Sequence, residues 1–253
     1  MIKKMIKRLL SEKKRKIVRE QVQRLTSPLF YGHHFYCNCC DKSFRKFLTK
    51  GYVARVNAHC PFCASLERTR VLELYIQKEL NLYESENTKI RHFAAEYGLF
   101  RKLSKNKNIT YIEADLNPAY ARNVIDITNI PFPGQYFDYI ICSHVLRHVP
   151  DETLAEKELH RVLKSDGTAL ILTLLSDKDK TFEDNSIQSV ESKIKSYGDH
   201  DLCRLHGKDF AQRLESNGFK VEEIDYRLQF SEAFQKKHAL GNGEREKIFK
   251  CTK

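Results

Sequence analysis

The segment from Tyr111 to Leu175 constrains the fold of this 253-residue chain more than any other part of it. It opens with a short β-favouring run that ends at Asp115, and a second acid, Asp126, follows in the next loop. An apolar run follows at residues 137–142, and a helical pattern follows at residues 151–163. A second apolar run, at residues 168–174, completes the segment. Apolar runs that alternate with helical patterns predict an α/β fold with a largely parallel sheet.

The two acids of this segment fall where the chain is predicted to leave the sheet. Ligands of open α/β sheets lie outside the carboxyl ends of the strands. A carboxylate at that edge can accept hydrogen bonds from a diol or from an amino group. We therefore expect Asp115 and Asp126 to contact a cofactor. The alternative is that both are turn or capping acids, because Asp is common in such loops.

The same segment resembles the class I S-adenosylmethionine-dependent methyltransferases, in particular the methyltransferase type 11-like proteins. The resemblance rests on the order of IDITNIPF, FDYIICSHVL and RVLKSDG across residues 111–175. It implies a Rossmann-like seven-stranded sheet and S-adenosylmethionine as cofactor. It also implies which residues contact adenosine, namely Asp115, Leu116, Asp126 and Ile127. The residues implied to border the methyl-transfer centre are Cys142, Ser143 and His144.

The turn after the first predicted strand departs from the family pattern of an acid followed by three glycines. His92 stands at the acid, Ala94 and Glu96 stand at the first two glycines, and Gly98 is the glycine that remains nearby. Glycines at such a turn allow the backbone to approach a ligand closely. Either Glu96 faces the ammonium group of the cofactor, so that the methionine half is held differently, or the cofactor binds weakly. We favour the first, because a subfamily with a His-x-Ala-x-Glu turn and a zinc ribbon is similar to residues 35–253.

Two cysteine pairs predict a metal site near the N-terminus. Cys37 and Cys40 form one pair, Cys60 and Cys63 form the other, and 19 residues separate the pairs. This spacing is typical of a structural four-thiolate Zn²⁺ site. Few apolar residues lie between the pairs, so the metal would supply much of the folding free energy of a zinc-ribbon module at 29–66. Cys39 is a spare thiol that could compete with Cys40.

Disulfide bonds are the alternative for these cysteines. The sequence shows no secretory signal, and its cysteines include the isolated Cys142, Cys203 and Cys251, which suits a reducing compartment. We therefore expect a cytoplasmic protein. No run of 18 apolar residues occurs, so we expect no membrane span.

Most of the positive charge lies at the N-terminal end. The formal net charge of +11 divides into +8 for residues 1–28, +4 for residues 29–66 and −1 for the catalytic part, 67–253. Residues 1–28 predict a basic amphipathic helix. This helix could pack on the protein or a second subunit, or residues 1–25 could lie on the inner face of an anionic membrane, or it could bind nucleic acid. The neutral catalytic part disfavours nucleic acid.

A polar stretch at about 176–206 interrupts the regular pattern, and such insertions often carry function. We expect it to fold over the active site and to form the acceptor-side wall, with Glu183, Asp184, His200, Asp201 and Arg204. His144, His200 and Glu183 are the candidates for a catalytic base. His148 is predicted to pack beneath a helix, and Arg147 replaces an acid that is common in the family.

The predicted function is methyl transfer from S-adenosylmethionine to an acceptor that the sequence does not identify. A glycan or a small molecule is favoured. Two alternatives remain open: a catalytically inactive zinc-binding interaction protein, in which the altered turn marks a lost cofactor site, and a zinc-ribbon RNA methyltransferase.

Overall fold

The computed structural model describes residues 11–51 and 53–253. Its N-terminal part consists of one helix and four short strands: α1 (Glu12–Thr26), β1 (Tyr31–Cys37), β2 (Lys42–Phe44), β3 (Leu48–Lys50) and β4 (Arg55–His59). β1 pairs with β2 and β3 pairs with β4, both antiparallel. The four cysteines of the predicted metal site lie at the ends of these strands and in the following turns. We call residues 29–66 the ribbon.

Helix α1 begins at Glu12. Ser11 caps it, because the hydroxyl of Ser11 accepts a hydrogen bond from the backbone N–H of Lys14 at 3.4 Å. Gln23 donates to the carbonyl of Cys60 at 2.9 Å, and the Arg24 guanidinium lies 4.5 Å from the ring centroid of Tyr97. The described helix therefore packs on the protein. The predicted stripe of Ile2, Met5, Ile6, Leu9 and Leu10 lies outside the described residues, and membrane contact through residues 1–25 stays a prediction.

The helices and strands after the ribbon alternate as the sequence predicts. In chain order they are α2 (Glu67–Lys78), β5 (Lys89–Phe93), α3 (Tyr97–Leu103), β6 (Thr110–Asp115), β7 (Asn123–Val124), β8 (Phe137–Ser143), α4 (Glu152–Val162), β9 (Leu163–Leu172), β10 (Phe182–Glu183), α5 (Val190–Tyr197), β11 (Arg204–Leu205), α6 (Phe210–Ser216), β12 (Lys220–Ile224), α7 (Glu232–His238) and β13 (Ile248–Thr252). Strand β9 starts at Leu163, five residues before the predicted start at Thr168.

Seven of these strands form one sheet in the order β12-β13-β9-β8-β5-β6-β7. β13 is antiparallel to both of its neighbours, and the other pairs are parallel. The predicted seven-stranded α/β sheet is therefore confirmed. The carboxyl ends of β5, β6 and β8 meet at one edge, which is where the sequence placed the cofactor.

Apolar side chains cover both faces of the sheet. Ile140 and Ile141 are neighbours in β8 and are fully buried, yet they belong to different apolar clusters. Successive side chains of a strand point to opposite faces. A strand that is buried on both faces reads as a continuous apolar run, which explains the pattern of residues 137–142.

Arg70 joins the ribbon to the C-terminal part of the chain. Its side chain is fully buried in α2. The guanidinium donates hydrogen bonds to four backbone carbonyls, two on the ribbon side and two at the end of α7: Ala58, Ser65, His238 and Ala239, at 2.6–3.1 Å. One side chain therefore holds three segments together.

The polar insertion leaves the sheet and returns to it at one place. Leu175 forms a bridge with His206, and the N–H of Ser176 donates to the carbonyl of His206 at 2.7 Å. The hydroxyl of Thr173 lies 2.7 Å from Nδ1 of the same histidine. Among residues 11–51 and 53–253, no helix is both long and apolar enough to cross a membrane.

Candidate active site

A cavity of about 580 Å³ opens at the carboxyl ends of β5, β6 and β8. Asp115 is the last residue of β6, and Asp126 follows β7, so both acids reach the cavity wall from neighbouring strands. Leu116 and Ile127, the residues after these acids, line the same wall. Leu116 is largely exposed and Ile127 is buried. We call this space the first cavity.

Each of the two acids uses one carboxylate oxygen in a local turn. Oδ1 of Asp115 accepts from the N–H of Asn117 at 2.8 Å. Oδ1 of Asp126 accepts from the N–H of Thr128 at 2.8 Å and from its hydroxyl at 2.7 Å. No other hydrogen bond to either carboxylate occurs among the described residues. The turn alternative therefore accounts for one oxygen of each acid and leaves the other able to accept from a ligand.

A second cavity, of about 470 Å³, adjoins the first. Ala94, His144 and His148 line both, so the two spaces share a wall at the ends of β5 and β8. The ribbon contributes Gly51, Val53 and Arg55 to the second cavity, and the insertion contributes Tyr197, Gly198, Asp199 and Leu202. The second cavity therefore lies where ribbon, sheet and insertion meet.

His144 stands at the junction of the two cavities. It follows β8 with a φ of 58°, a left-handed conformation that turns the chain sharply out of the strand. Its Nε2 lies 3.1 Å from the carbonyl oxygen of Arg245, so Nε2 carries the hydrogen and Nδ1 is left as an acceptor. Burial, and then the charge of Arg68, hold the pKa of His144 well below its usual value. The ring is therefore neutral at neutral pH.

Hydrogen bonds of the buried His92 side chain hold the altered turn after β5. His92 is fully buried; its Nδ1 lies 2.9 Å from the Tyr111 hydroxyl and its Nε2 lies 3.2 Å from Oε2 of Glu96. Burial raises the pKa of Glu96, but the His92 hydrogen bond and the charge of Arg68 lower it below its usual value. Glu96 therefore carries its negative charge at the wall of the second cavity. Its Oε1 has no hydrogen-bond partner among the described residues.

Gly98 serves the ribbon rather than the cavities. A Cβ at this position would lie 3.0 Å from Cβ of Cys39. The glycine therefore permits close packing of α3 on the first cysteine knuckle, and it lines neither cavity. The contact of Gly98 with the cofactor stays a prediction that the cavity walls do not support. His92 likewise lies beneath the turn and acts on the site through Glu96.

The side chain of Cys142 lies away from the methyl-transfer centre that the sequence predicts it to border. Its side chain is fully buried in the apolar cluster between the sheet and α4, and burial raises its pKa. Neighbouring strand residues point to opposite faces, so Ser143 reaches the second cavity where Cys142 does not. The hydroxyl of Ser143 is buried and has no hydrogen-bond partner in the described part of the chain.

Glu183 and Arg204 form an ion pair instead of an acceptor-side wall. Nη2 of Arg204 lies 2.7 Å from Oε1 of Glu183. The buried Arg204 also donates to the carbonyls of Leu146, Val149 and Pro150, at 2.6–2.9 Å. These bonds tie the insertion to the segment after β8. The pair lines neither cavity, so the role of Glu183 as a base and acceptor wall stays a prediction that the cavity walls do not support.

The positions of His200 and His148 both differ from those that the sequence predicts. His200 lies outside both cavities, its side chain is 60% exposed, and its Nδ1 contacts Oδ1 of Asp199 at 2.7 Å. It is therefore not placed to act as a base. His148, predicted to pack beneath a helix, is 40% exposed at the rim of both cavities, with Nδ1 3.2 Å from Oδ1 of Asp201.

We expect Glu183→Gln to destabilise the protein without weakening cofactor binding. The change removes the carboxylate opposite the buried Arg204 guanidinium, and hydrogen bonds to charged groups contribute about 1.5–3 kcal/mol each. Urea unfolding should therefore show a loss of about 1–3 kcal/mol in the free energy of unfolding. Glu191→Gln, at an exposed position of α5, is the control and should change stability by less than about 0.5 kcal/mol. Equal stabilities of the two variants would contradict the ion-pair role.

The four cysteines of the ribbon lie together and are buried. The Sγ atoms of Cys37 and Cys63 are 3.5 Å apart, and those of Cys40 and Cys60 are 3.8 Å apart. Tetrahedral zinc with Zn–S bonds of about 2.3 Å places sulfurs about 3.8 Å apart. The donor set therefore fits Zn²⁺ in both chemistry and spacing.

Two neighbours complete this cluster. The hydroxyl of Ser65 lies 3.1 Å from Sγ of Cys37 and 3.3 Å from Sγ of Cys63. The spare Cys39 points away, towards the carbonyl of Thr69 at 3.7 Å. Cys39 therefore does not compete with Cys40 for the position of a ligand.

Comparisons with known proteins agree with this fold. Residues 98–171 match the family model described as "Methyltransferase domain". The ubiquinone/menaquinone biosynthesis C-methyltransferase UbiE of Coxiella burnetii is 30% identical over 129 residues, which cover 51% of this chain and 41% of that protein. The demethylmenaquinone methyltransferase of Staphylococcus epidermidis is 47% identical over 47 residues, which cover 19% of this chain and 20% of that protein. The chain thus spans less than half the length of these curated relatives.

Among solved structures, the CMeT domain of the citrinin polyketide synthase has a similar fold. The TM-score is 0.50 at 13% sequence identity, and the match covers 77% of this chain and 54% of that chain. The fold and residues 98–171 are therefore similar to a methyltransferase domain of the class I type, as the sequence resemblance implied. In this chain the matched segment follows an N-terminal four-cysteine cluster.

Proposed function

We propose that the chain transfers a methyl group from S-adenosylmethionine to a small-molecule or glycan acceptor. The observation that carries the proposal is the pair of adjoining cavities, with two acids that have a free oxygen along the first and His144 at the junction. One cavity suits the cofactor and the other suits an acceptor. The cofactor supplies an electrophilic methyl group on a sulfonium.

The residues of the first cavity fit adenosine. Asp115 would accept hydrogen bonds from the ribose hydroxyls, and Asp126 would accept from the adenine amino group. Ile127 and Leu116 provide the apolar surface beside the base. On the far side of Ala94, the charged Glu96 lines the second cavity; its Oε1 accepts no hydrogen bond among the described residues, lies 3.6 Å from Nε of Arg68 and would hold the ammonium group of the methionine half.

The residues of the junction would orient the acceptor. Methyl transfer to a group that is already nucleophilic depends mainly on placing the two reacting atoms in line. A hydroxyl acceptor also needs a site for its proton, and Nδ1 of the neutral His144 ring is an acceptor at that junction. The Ser143 hydroxyl lies on the wall of the second cavity and has no partner among the described residues, so it can bond to either substrate.

We also infer that Cys37, Cys40, Cys60 and Cys63 bind one structural Zn²⁺ ion. Four thiolates leave no open position on a tetrahedral ion, so the metal would stabilise the ribbon and take no part in the reaction. Its effect on the active site would be indirect, through the ribbon residues that line the second cavity.

Isothermal titration with S-adenosylhomocysteine tests the cofactor site. Asp115→Asn keeps the oxygen that bonds Asn117 but replaces the free oxygen with an NH₂ group, which cannot accept from ribose. We expect affinity to fall by about tenfold to hundredfold, the effect of losing hydrogen bonds to a charged group. Asp177→Asn, at an exposed position of the insertion, should bind like the wild type.

The titration also separates the proposal from its main competitor. Absence of heat with the wild-type protein at millimolar ligand would favour the inactive zinc-binding alternative. Unchanged affinity of Asp115→Asn would remove Asp115 from the site while leaving the cavity open to another binding mode.

A further inference from the structure

Three arginines line the second cavity without a hydrogen bond from their side chains. Nε of Arg68, Arg147 and Arg245 is buried and has no hydrogen-bond partner among residues 11–51 and 53–253, and only Nε of Arg68 has a carboxylate nearby there, Oε1 of Glu96 at 3.6 Å. These residues come from the start of α2, from the turn after β8 and from the segment before β13. A buried donor that is left unpaired costs free energy, so three in one cavity point to a ligand that the arginines would bind.

The arginines are close enough to repel one another. Burial, and then the charge of Arg245, lower the pKa of Arg147 to about 10. Burial, and then the charges of Arg55 and Arg68, lower the pKa of Arg245. Such guanidinium groups are still protonated at neutral pH. The fold therefore gathers positive charge in a partly closed space, at a cost in electrostatic energy.

The nearby carboxylates offset this charge only in part: the charges of Asp199 and Asp201 raise the pKa of Arg147, and those of Glu67 and Glu246 raise the pKa of Arg245. Glu67 is taken by Arg55 at 2.9 Å, and Glu96 is shared between His92 and Arg68. Asp199 is also on the wall, but its Oδ1 contacts His200 at 2.7 Å. Within the described chain, neither Arg147 nor Arg245 takes part in a salt bridge.

The proposed cofactor does not offset the remainder. Its methionine half carries one ammonium and one carboxylate, for which Glu96 and the adjacent Arg68 are the natural partners. This leaves Arg147 and Arg245 unpaired on the acceptor side of His144. An acceptor with no negative charge would leave Nε of both residues buried without a hydrogen bond.

We propose that Arg147 and Arg245 bind a phosphoryl group of the methyl acceptor. This inference rests on the proposed function for the identity of the acceptor, whereas anion binding itself does not. Arginine presents planar donor pairs that match phosphate oxygens, and two arginines match the double charge of a phosphoryl group. The acceptor is thus a phosphorylated small molecule, and the ribbon and the insertion form the walls around it.

Titration with inorganic phosphate in the presence of saturating S-adenosylhomocysteine tests this inference. Potassium chloride keeps the ionic strength constant, and acetate provides a carboxylate for comparison. Arg147→Gln and Arg245→Gln should each weaken phosphate binding by about tenfold to hundredfold. Arg45→Gln removes one charge from an exposed position of the ribbon and should bind phosphate like the wild type.

The same titrations without phosphate give the affinity for S-adenosylhomocysteine. We expect the two cavity variants to keep this affinity within about threefold. Should Arg147→Gln fail to fold, Arg245→Gln carries the test, because Arg245 is only partly buried. Phosphate binding without cofactor binding would refute the proposed function but support the anion site.

Four results would overturn the inference. The first is a wild-type response to phosphate no larger than that to chloride, and the second is an equal loss of phosphate binding in Arg45→Gln. The third is a loss of cofactor affinity as large as the loss of phosphate affinity, which would assign the arginines to the cofactor. A stronger response to acetate than to phosphate would replace the phosphoryl group with a carboxylate and so refute the inference as stated.

Discussion

Removal of zinc should unfold the ribbon while the seven-stranded sheet stays folded. The buried apolar side chains of the ribbon other than cysteine include Phe44, Phe47 and Ala58. This is a small core, and structural zinc contributes about 10–16 kcal/mol to the folding of comparable modules. Without the metal, the ribbon side of the second cavity would be lost, because Gly51, Val53 and Arg55 line it.

Cys60→Ser is the variant that tests this prediction. Hydrogen exchange should show fast exchange across residues 29–66 and slow exchange in β8 and β9. A zinc assay should find about one ion per wild-type chain and much less in the variant. Cys203→Ser removes a thiol from outside the cluster and should keep the metal. Full protection of the ribbon in a metal-free sample would contradict the prediction.

Replacement of Arg70 should cause the second large effect. Arg70→Met keeps much of the side-chain volume but leaves four backbone carbonyls without their donor. It also removes the contact between the guanidinium and the Phe47 ring, 4.8 Å away. We expect the free energy of unfolding to fall by about 3–5 kcal/mol, as for other variants that break a buried charged network.

Urea unfolding of Arg70→Met and Lys78→Met measures this effect. Lys78 lies in the same helix, α2, at an exposed position, so its replacement should change stability by less than about 0.5 kcal/mol. A similar small loss in both variants would show that Arg70 does not hold the ribbon, α2 and α7 together.

Local patterns were sufficient to predict the elements and two parts of the site. Strand β8 and the second half of β9 are nearly continuous apolar runs, and acids lie at or just after the ends of β6 and β7. The four cysteines have a spacing that itself implies a shared ion. Asp115 and Asp126 could be placed at the cavity edge because Asp115 ends β6 and Asp126 comes two residues after β7.

Contacts between distant segments could not be predicted in this way. Arg68, Arg147 and Arg245 share a cavity only because the fold brings together segments far apart in the sequence. Arg147 departs from the family pattern, but the sequence alone does not show which residues surround its side chain. Glu183 has the chemistry of a base, and only the position of Arg204 reveals that its carboxylate is already paired.

Two sequence motifs also proved to be in contact with each other. The turn at Gly98 and the knuckle at Cys39 were interpreted as separate cofactor and metal motifs, yet the two backbones pack against each other. A sequence pattern specifies which residue stands at a position. It does not specify whether the glycine is required by a bound cofactor or by a packed neighbour such as Cys39.

The two ends of the insertion lie side by side, and this affects how the insertion can vary in length and sequence. The chain leaves the sheet beside Leu175 and rejoins it beside His206, with a hydrogen bond joining the two ends. Changes of length between these points need not shift the register of β9, provided that Arg204 keeps its hydrogen bonds to the segment after β8. Such changes would alter the insertion side of the second cavity and leave Asp115 and Asp126 in place at the ends of their strands.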